Sequence, residues 1–238
     1  MRASGHRPPA ALALAAALAL LGSGCGREQE PDLVAGKELF VQKCASCHKL
    51  KRANAQGVQG PNLDEAFGTA RREGMTEATV RGIVRRQIAN VRRGSIMPRN
   101  LVEGADAGDV AAYVGRVAGQ PGQDPGALAS AGRPKVSKKP VQAQNGKLTI
   151  DADSSGALAF TAVNALAPPG SLEIDMENKA NVQHNIAVRG GGIDEKGPVV
   201  AGGGVSKLQA SLKPGKYVFY CSVPGHEAGG MKGNLTVK

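Results

Sequence analysis

Hydrophobic and polar positions divide the chain into four regimes. Residues 10–21 are an unbroken run of Ala and Leu, preceded by Arg2 and Arg7 and followed by Gly22, Ser23, Gly24 and Cys25. From 33 to 118 apolar residues recur at helical spacing. Leu33, Val34, Leu39, Phe40 and Val41 predict one helix leading into Cys44. Thr76 is the expected N-cap of a second, whose stripe is Val80, Ile83, Val84 and Ile88. A third starts at Asp106, with Val110, Ala111, Val114 and Val117 on one face. Residues 53–68 and 92–104, rich in Gly, Asn and Pro, are expected as loops. Residues 119–145 show no periodicity and read as a flexible linker. A coil of about 25 residues would span about 25–30 Å on average. From Gly146 the period becomes two, with segments around Leu148, Leu172, Ile186, Leu208, Tyr217 and Leu235 separated by Pro/Gly turns. Short alternating strands of this number predict a β-sandwich.

Composition narrows the classes. At 238 residues the chain holds one large domain or two small ones, and 41% hydrophobic residues allow a packed core. No internal run is long enough to cross a bilayer. Aromatics are 3% and Trp is absent, which argues against a stacking platform for nucleic acid. The net charge of +10 sits mainly on residues 33–118, with 14 basic against 8 acidic side chains, including the pairs Arg71-Arg72, Arg85-Arg86 and Arg92-Arg93. Such a surface is either a solvated helix face or a device that steers toward an acidic partner or an anionic membrane.

The N-terminus has a basic region, a short apolar run and small residues, the pattern of an export signal over residues 1–25. Leu21-Gly-Ser-Gly-Cys25 resembles a bacterial lipobox, although Gly22 stands where that motif has a larger apolar residue. The resemblance implies that Cys25 is lipidated and tethers the mature protein to the outer face of a membrane. An exported protein, periplasmic or on the extracytoplasmic face, is expected, with no role in binding nucleic acid.

Two constellations carry chemistry. Cys44-Ala-Ser-Cys47-His48 is the attachment sequence of a covalent haem. Two thiols one helical turn apart reach the two vinyl groups, and His48 faces the iron. A redox dithiol has no need of His48 and belongs in a βαβ context, and a disulfide is the remaining alternative. No His lies between His48 and the linker, so the sixth ligand comes from Met75 or Met97. Met97, in a loop stiffened by Pro98, is the candidate, since Met75 is placed for ordinary packing. A thioether opposite His raises the haem potential and closes the iron to substrate. With Gly36, Phe40, Gly60-Pro61-Asn62-Leu63, Ile96-Met97-Pro98 and Tyr113, the region over roughly 33–118 resembles a small bacterial class I cytochrome c. That resemblance implies an all-α domain in which the Pro61 carbonyl accepts from the ligand imidazole.

In the second constellation, Cys221, His226 and Met231 lie in one loop between strands, and His184 is the only other His of that region. Two His, one Cys and a weak axial Met define a blue-copper electron-transfer site. A structural zinc site would use more Cys or His and no Met, and any one of these residues alone would be packing. Tyr220-Cys-Ser-Val-Pro-Gly-His226 resembles mononuclear cupredoxins of the plastocyanin, auracyanin and rusticyanin group, over roughly 143–238. The resemblance implies an all-β Greek-key sandwich, with Asn185 and the backbone near Ser222 shaping the thiolate's surroundings.

Counting ligands excludes several enzymes. A dinuclear copper centre needs a second Cys in the loop, and residues 222–225 contain none. A catalytic copper needs spare His, and the four are His6, His48, His184 and His226. The expectation is a multidomain, non-enzymatic carrier: signal 1–25, cytochrome c domain 33–118, linker 119–145 and cupredoxin domain 146–238. It would hold one haem c and one type 1 copper and pass single electrons to redox protein partners, with no small-molecule substrate. Alternatives are an electron-feeding subunit of a larger membrane oxidoreductase and a copper storage or sensing protein.

Overall fold

The computed structural model describes Met1 and residues 30–238. The expected signal segment and Cys25 lie outside the described residues. Residues 31–238 form one compact unit. Among the described residues no helix is long and apolar enough to cross a membrane.

The helical region begins at α1 (Leu33–Lys43), whose N-cap Asp32 accepts from the Val34 and Ala35 amides and so satisfies two of the free donors at the helix start. Then come a two-stranded hairpin, β1 (Lys49–Leu50) and β2 (Ala55–Gln56), and α2 (Leu63–Arg72), α3 (Glu77–Ala89) and α4 (Gly104–Val117). Gly36 lets α1 cross α4 closely, since a Cβ there would overlap the Asp109 carbonyl oxygen. Phe40 and Tyr113 fill that crossing, with ring centroids 6.3 Å apart. Thr76 caps α3 by accepting from the Thr79 amide.

Two expectations change here. Part of the 53–68 segment is helical, because Asn62 caps α2 and Asp64 and Glu65 suit its positive N-terminal end, a signal hidden in loop-like composition. On α3 only Val80 and Ile88 are buried; Ile83 remains 44% exposed, so the apolar stripe is narrower than its spacing suggests.

The segment 119–145, expected as a flexible coil, is instead laid down as a strap. Asp124 is the reason. Its side chain is 2% exposed and accepts from Lys37 Nζ at 2.9 Å, Arg52 Nε at 2.8 Å and the Tyr113 hydroxyl at 3.0 Å. Burial by itself would raise its carboxyl, but these three partners outweigh it and hold the group below the ordinary carboxylate value. Leu128, on the short helix α5 (Gly126–Ser130), is buried, and its carbonyl accepts from Lys37. Further on, the Lys135 amide donates to Asp153 and the Ser137 amide to the Thr161 carbonyl, which ties the strap to the β region.

The β region is two facing sheets. One has the order β3 (Val141–Gln142), β5 (Asn164–Ala167), β11 (Lys232–Val237), β10 (Gly215–Tyr220), β7 (Ala187–Gly190) and β8 (Ile193–Lys196); the other is β4 (Lys147–Thr149), β6 (Gly170–Glu177) and β9 (Val205–Leu212). Strand β9 alternates exposed and buried at every residue, as a sheet with one wet face requires. Leu148, Ile174, Met176, Leu212, Phe219 and Leu235 fill the space between the sheets. Phe160 meets Phe219 edge-on at 5.4 Å.

Replacing Asp124 by Ala leaves buried Lys37 and partly buried Arg52 without their carboxylate. The expected loss is about 3–5 kcal/mol, measured as a lower denaturant midpoint; an unchanged midpoint would show that the strap is dispensable.

Candidate metal centres

Sheet register assembles the first centre. Strand β10 pairs with β11 from Gly215↔Val237 to Tyr220↔Lys232, so Cys221 and Met231 sit at the mouth of the same pair, where the Cys221 amide donates to the Met231 carbonyl at 3.1 Å. On the other side β10 pairs with β7 at Tyr220↔Ala187, which brings His184, three residues earlier, to the same end. The backbone of His184 is fixed by reciprocal bonds with Val200. His226 is fixed by its amide donating to Val223 and its carbonyl accepting from Met231.

The outcome is a buried trio. His184 Nδ1 and His226 Nδ1 are 3.1 Å apart, and Cys221 Sγ lies 3.8 Å from the first and 3.5 Å from the second. Such separations are those of three donors each about 2.0–2.3 Å from one first-row ion. Met231 is fully buried in the same core. Two imidazoles and a thiolate with a nearby Met thioether are the donor set of a blue-copper site, and such donors bind copper more strongly than zinc. His184 Nε2 is buried with no partner among the described residues, so packing and backbone, not an outer hydrogen bond, orient this ring.

Asn185 spans the cluster from behind: Oδ1 accepts from the Ser222 amide at 2.8 Å, and Nδ2 donates to Ser222 Oγ and the Gly197 carbonyl. Burial pushes the Cys221 thiol up, and the backbone N–H groups of Asn185 and Val223 pull it back. The Ser222 amide itself donates to Asn185. Glu227, next to His226, is clamped by Arg189 at 2.8 and 2.5 Å.

The second constellation lies where α1 ends. Cys44 is the C-cap of α1, and the His48 amide donates to the Cys44 carbonyl, so the five residues form a single tight turn. Neither Cys44 nor Cys47 is in a disulfide. His48 Nδ1 is 3.0 Å from the Pro61 carbonyl, leaving Nε2 as the nitrogen that can face a metal. Gly60 makes room for that ring, since a Cβ there would lie 2.7 Å from His48 Cε1. Burial, followed by the nearby Cys47, raises the Cys44 thiol to about 12, which is opposite to the low value a redox dithiol needs.

Met97 is in the loop between α3 and α4, half-buried against the helical core, with Gln87 Nε2 3.8 Å from its sulfur. Leu63, Phe67 and Val84 are also only partly covered. Apolar side chains half-exposed around a Cys-x-x-Cys-His turn fit a flat macrocycle that would cover them. His48 and Met97 are on separate elements and are not in hydrogen-bond contact.

Residues 33–118 match the family model for cytochrome c, and residues 146–238 match that for copper binding proteins of the plastocyanin/azurin family. Among solved structures, reduced auracyanin from the photosynthetic bacterium Roseiflexus castenholzii is 25% identical, over 40% of this chain and 99% of that one, with a TM-score of 0.35. Auracyanin A from Chloroflexus aurantiacus is 23% identical, over 39% and 98%, with a TM-score of 0.33. The Cu(I) form of a point mutant of amicyanin is 16% identical, over 40% and 86%, at 0.31. A helical cytochrome c region is thus followed by a cupredoxin-like β domain, and the two imply one haem c and one type 1 copper.

Burial holds His184 at about 3, with the neighbouring His226 adding to the effect, and holds His226 at about 4, both below the ordinary imidazole value of 6.5. The unfolded chain therefore takes up protons first, so the stability these groups contribute is complete above about pH 6.5 and is lost as the pH falls toward 4. The metal-free protein should show a falling urea midpoint already between pH 6.5 and about 5, above the carboxylate range. His226→Gln should flatten the slope; a slope unaffected by it would mean that the imidazoles are not held neutral.

Proposed function

We propose that this protein is an exported, lipid-tethered electron carrier that exchanges single electrons with redox protein partners and has no small-molecule substrate. The observation that carries this reading is the trio His184, Cys221 and His226, buried and mutually within 4.8 Å, in the same chain as the Cys44-x-x-Cys47-His48 turn. Haem and copper, when bound, each supply a one-electron couple.

The work of the chain is to hold ligands still. Cys44 and Cys47 would attach the haem, and His48 and Met97 would hold its iron. The Pro61 carbonyl fixes the tautomer of His48, leaving Nε2 free of its proton. His184, Cys221, His226 and Met231 would hold the copper. Because Cys221 and Met231 flank paired strands and His184 and His226 are held by their own backbone hydrogen bonds, their positions are set before any metal arrives. A site that does not rearrange with oxidation state suits electron transfer. With every His of the described residues assigned, none is left to hold a catalytic metal, which supports a carrier over an enzyme.

Cys25 supplies the lipid anchor in this reading, and the folded part works on the extracytoplasmic side. The partner is acidic. Arg86, Arg92, Arg93 and Arg99 are exposed around the Met97 loop, together with Ile83 at 44% and Ile96 at 75%. A stretch of chain carrying exposed guanidinium groups and exposed apolar side chains is complementary to a carboxylate-rimmed surface and raises the encounter rate at low salt.

The test is a visible spectrum of the haem-matured, copper-loaded protein, oxidised and then reduced. Haem bands should appear with an intense copper–thiolate band that bleaches on reduction; haem bands alone would remove copper from the reading. Cys221→Ser should abolish the copper–thiolate band while the haem bands persist. Met97→Ala should leave haem attached and lower its reduction potential; an unchanged potential moves the sixth ligand to Met75.

A further inference from the structure

The two centres are not at opposite ends of the chain's folded unit. Gln59 follows the hairpin after the haem-attachment turn, and its Oε1 is 3.6 Å from Cys47 Sγ. Its Nε2 donates to the Pro224 carbonyl at 3.0 Å. Pro224 lies within the copper loop, between Cys221 and His226. When haem attachment converts Cys47 to a thioether, the S–H donor is lost, and the amide's bond to Pro224 is the one that remains. Beside it Val58 reaches Gly225, with Cγ2 3.3 Å from where a Cβ would stand.

A second contact lies nearby. Gly156, with φ of 83°, is pressed against α1: a Cβ would be 2.6 Å from Gln42 Cα, two residues before Cys44. Two residues later, Leu158 leans on the copper loop, its Cδ1 occupying the space a Gly229 Cβ would need. Ala157 packs on the helical core. The turn at 156–158 therefore joins α1 to the copper loop, parallel to the Gln59–Pro224 bond. Behind the seam is a cavity of about 880 Å³, bordered by Lys37, Arg52, Asp124, Arg133 and Leu158. Val58 itself stays 60% exposed.

From these contacts we infer that the copper-ligand loop is held against the haem-attachment turn as a fixed docking seam, with Gln59 the residue that positions one on the other. The inference rests on the carrier function proposed above and deepens it. The two centres share electrons in one geometry set by the seam and by the strap anchored at Asp124 and Lys135, not by collision of tethered domains. Transfer between them needs no bond change: one centre loses the electron that the other gains.

Small-angle scattering of the mature full chain decides the docking, whether or not either cofactor has bound. A single-lobed profile is expected, and a two-lobed profile overturns the seam. The role of Gln59 is read by photogenerated flavin semiquinone, which gives one electron to one centre and is itself oxidised; the redistribution of that electron is followed at both visible bands. In Gln59→Ala it should slow severalfold, because the copper loop is no longer pinned at one separation from the haem-attachment turn. Both potentials and both bands should stay as in the parent. Gly156→Asn wedges the turn away from Gln42 while tolerating its positive φ, and should also slow redistribution. Rates equal to the parent's in both variants would overturn the assignment. Missing visible bands would sink the carrier function itself, while the scattering profile still decides the seam.

Discussion

Two imidazoles and a thiol buried against one another are unfavourable in a folded chain unless something holds them there. Each has lost its water, and no counter-charge among the described residues replaces it; burial accordingly keeps both imidazoles neutral and the thiol protonated. The β-sandwich meets this cost. The β10–β11 ladder fixes Cys221 and Met231 at one end, and the β7–β10 ladder delivers His184 to them. Neutral imidazoles and a thiol that a metal can deprotonate are the states a copper ion requires. The same desolvation that destabilises the empty trio therefore prepares it for a cation.

The helical region solves a smaller problem differently. Its large side chains are few, and several, among them Leu63, Phe67 and Met97, are only partly covered. It is held by close backbone approach at Gly36 and by the Phe40–Tyr113 pair. A bulky planar group seated on the Cys44–His48 turn would supply apolar surface that the chain itself lacks, as small domains with modest cores require.

Between the two, Asp124 converts a stretch of Gly, Pro and Gln into structure. A carboxylate that accepts from an ammonium, a guanidinium and a phenol cannot leave without stranding all three. With the strap fixed, the copper loop faces the haem-attachment turn across Gln59, and the two redox sites become neighbours within one unit.

Sequence alone determined the chemistry and the fold class. Cys44-x-x-Cys-His48 and Cys221…His226…Met231 are local spacings, and local spacing is visible without coordinates because neighbouring residues on one turn or loop need no long-range contact to meet. Period-two alternation likewise announced the sandwich. Tertiary structure decided what depends on residues distant in the chain. His184 joins the trio only through the β7–β10 register. Asn185 ties the stretch around His184 to Ser222 only once those distant segments are paired. The α2 helix was hidden because a cap and two acids look like a loop until Leu63 and Phe67 find a core. Most of all, the segment 119–145 has a linker's composition, and only the meeting of Asp124 with Lys37, Arg52 and Tyr113, at separations of 11 to 87 residues, makes it a strap. A charge network of that range leaves no periodicity to read, since its geometry exists only after the helices have packed.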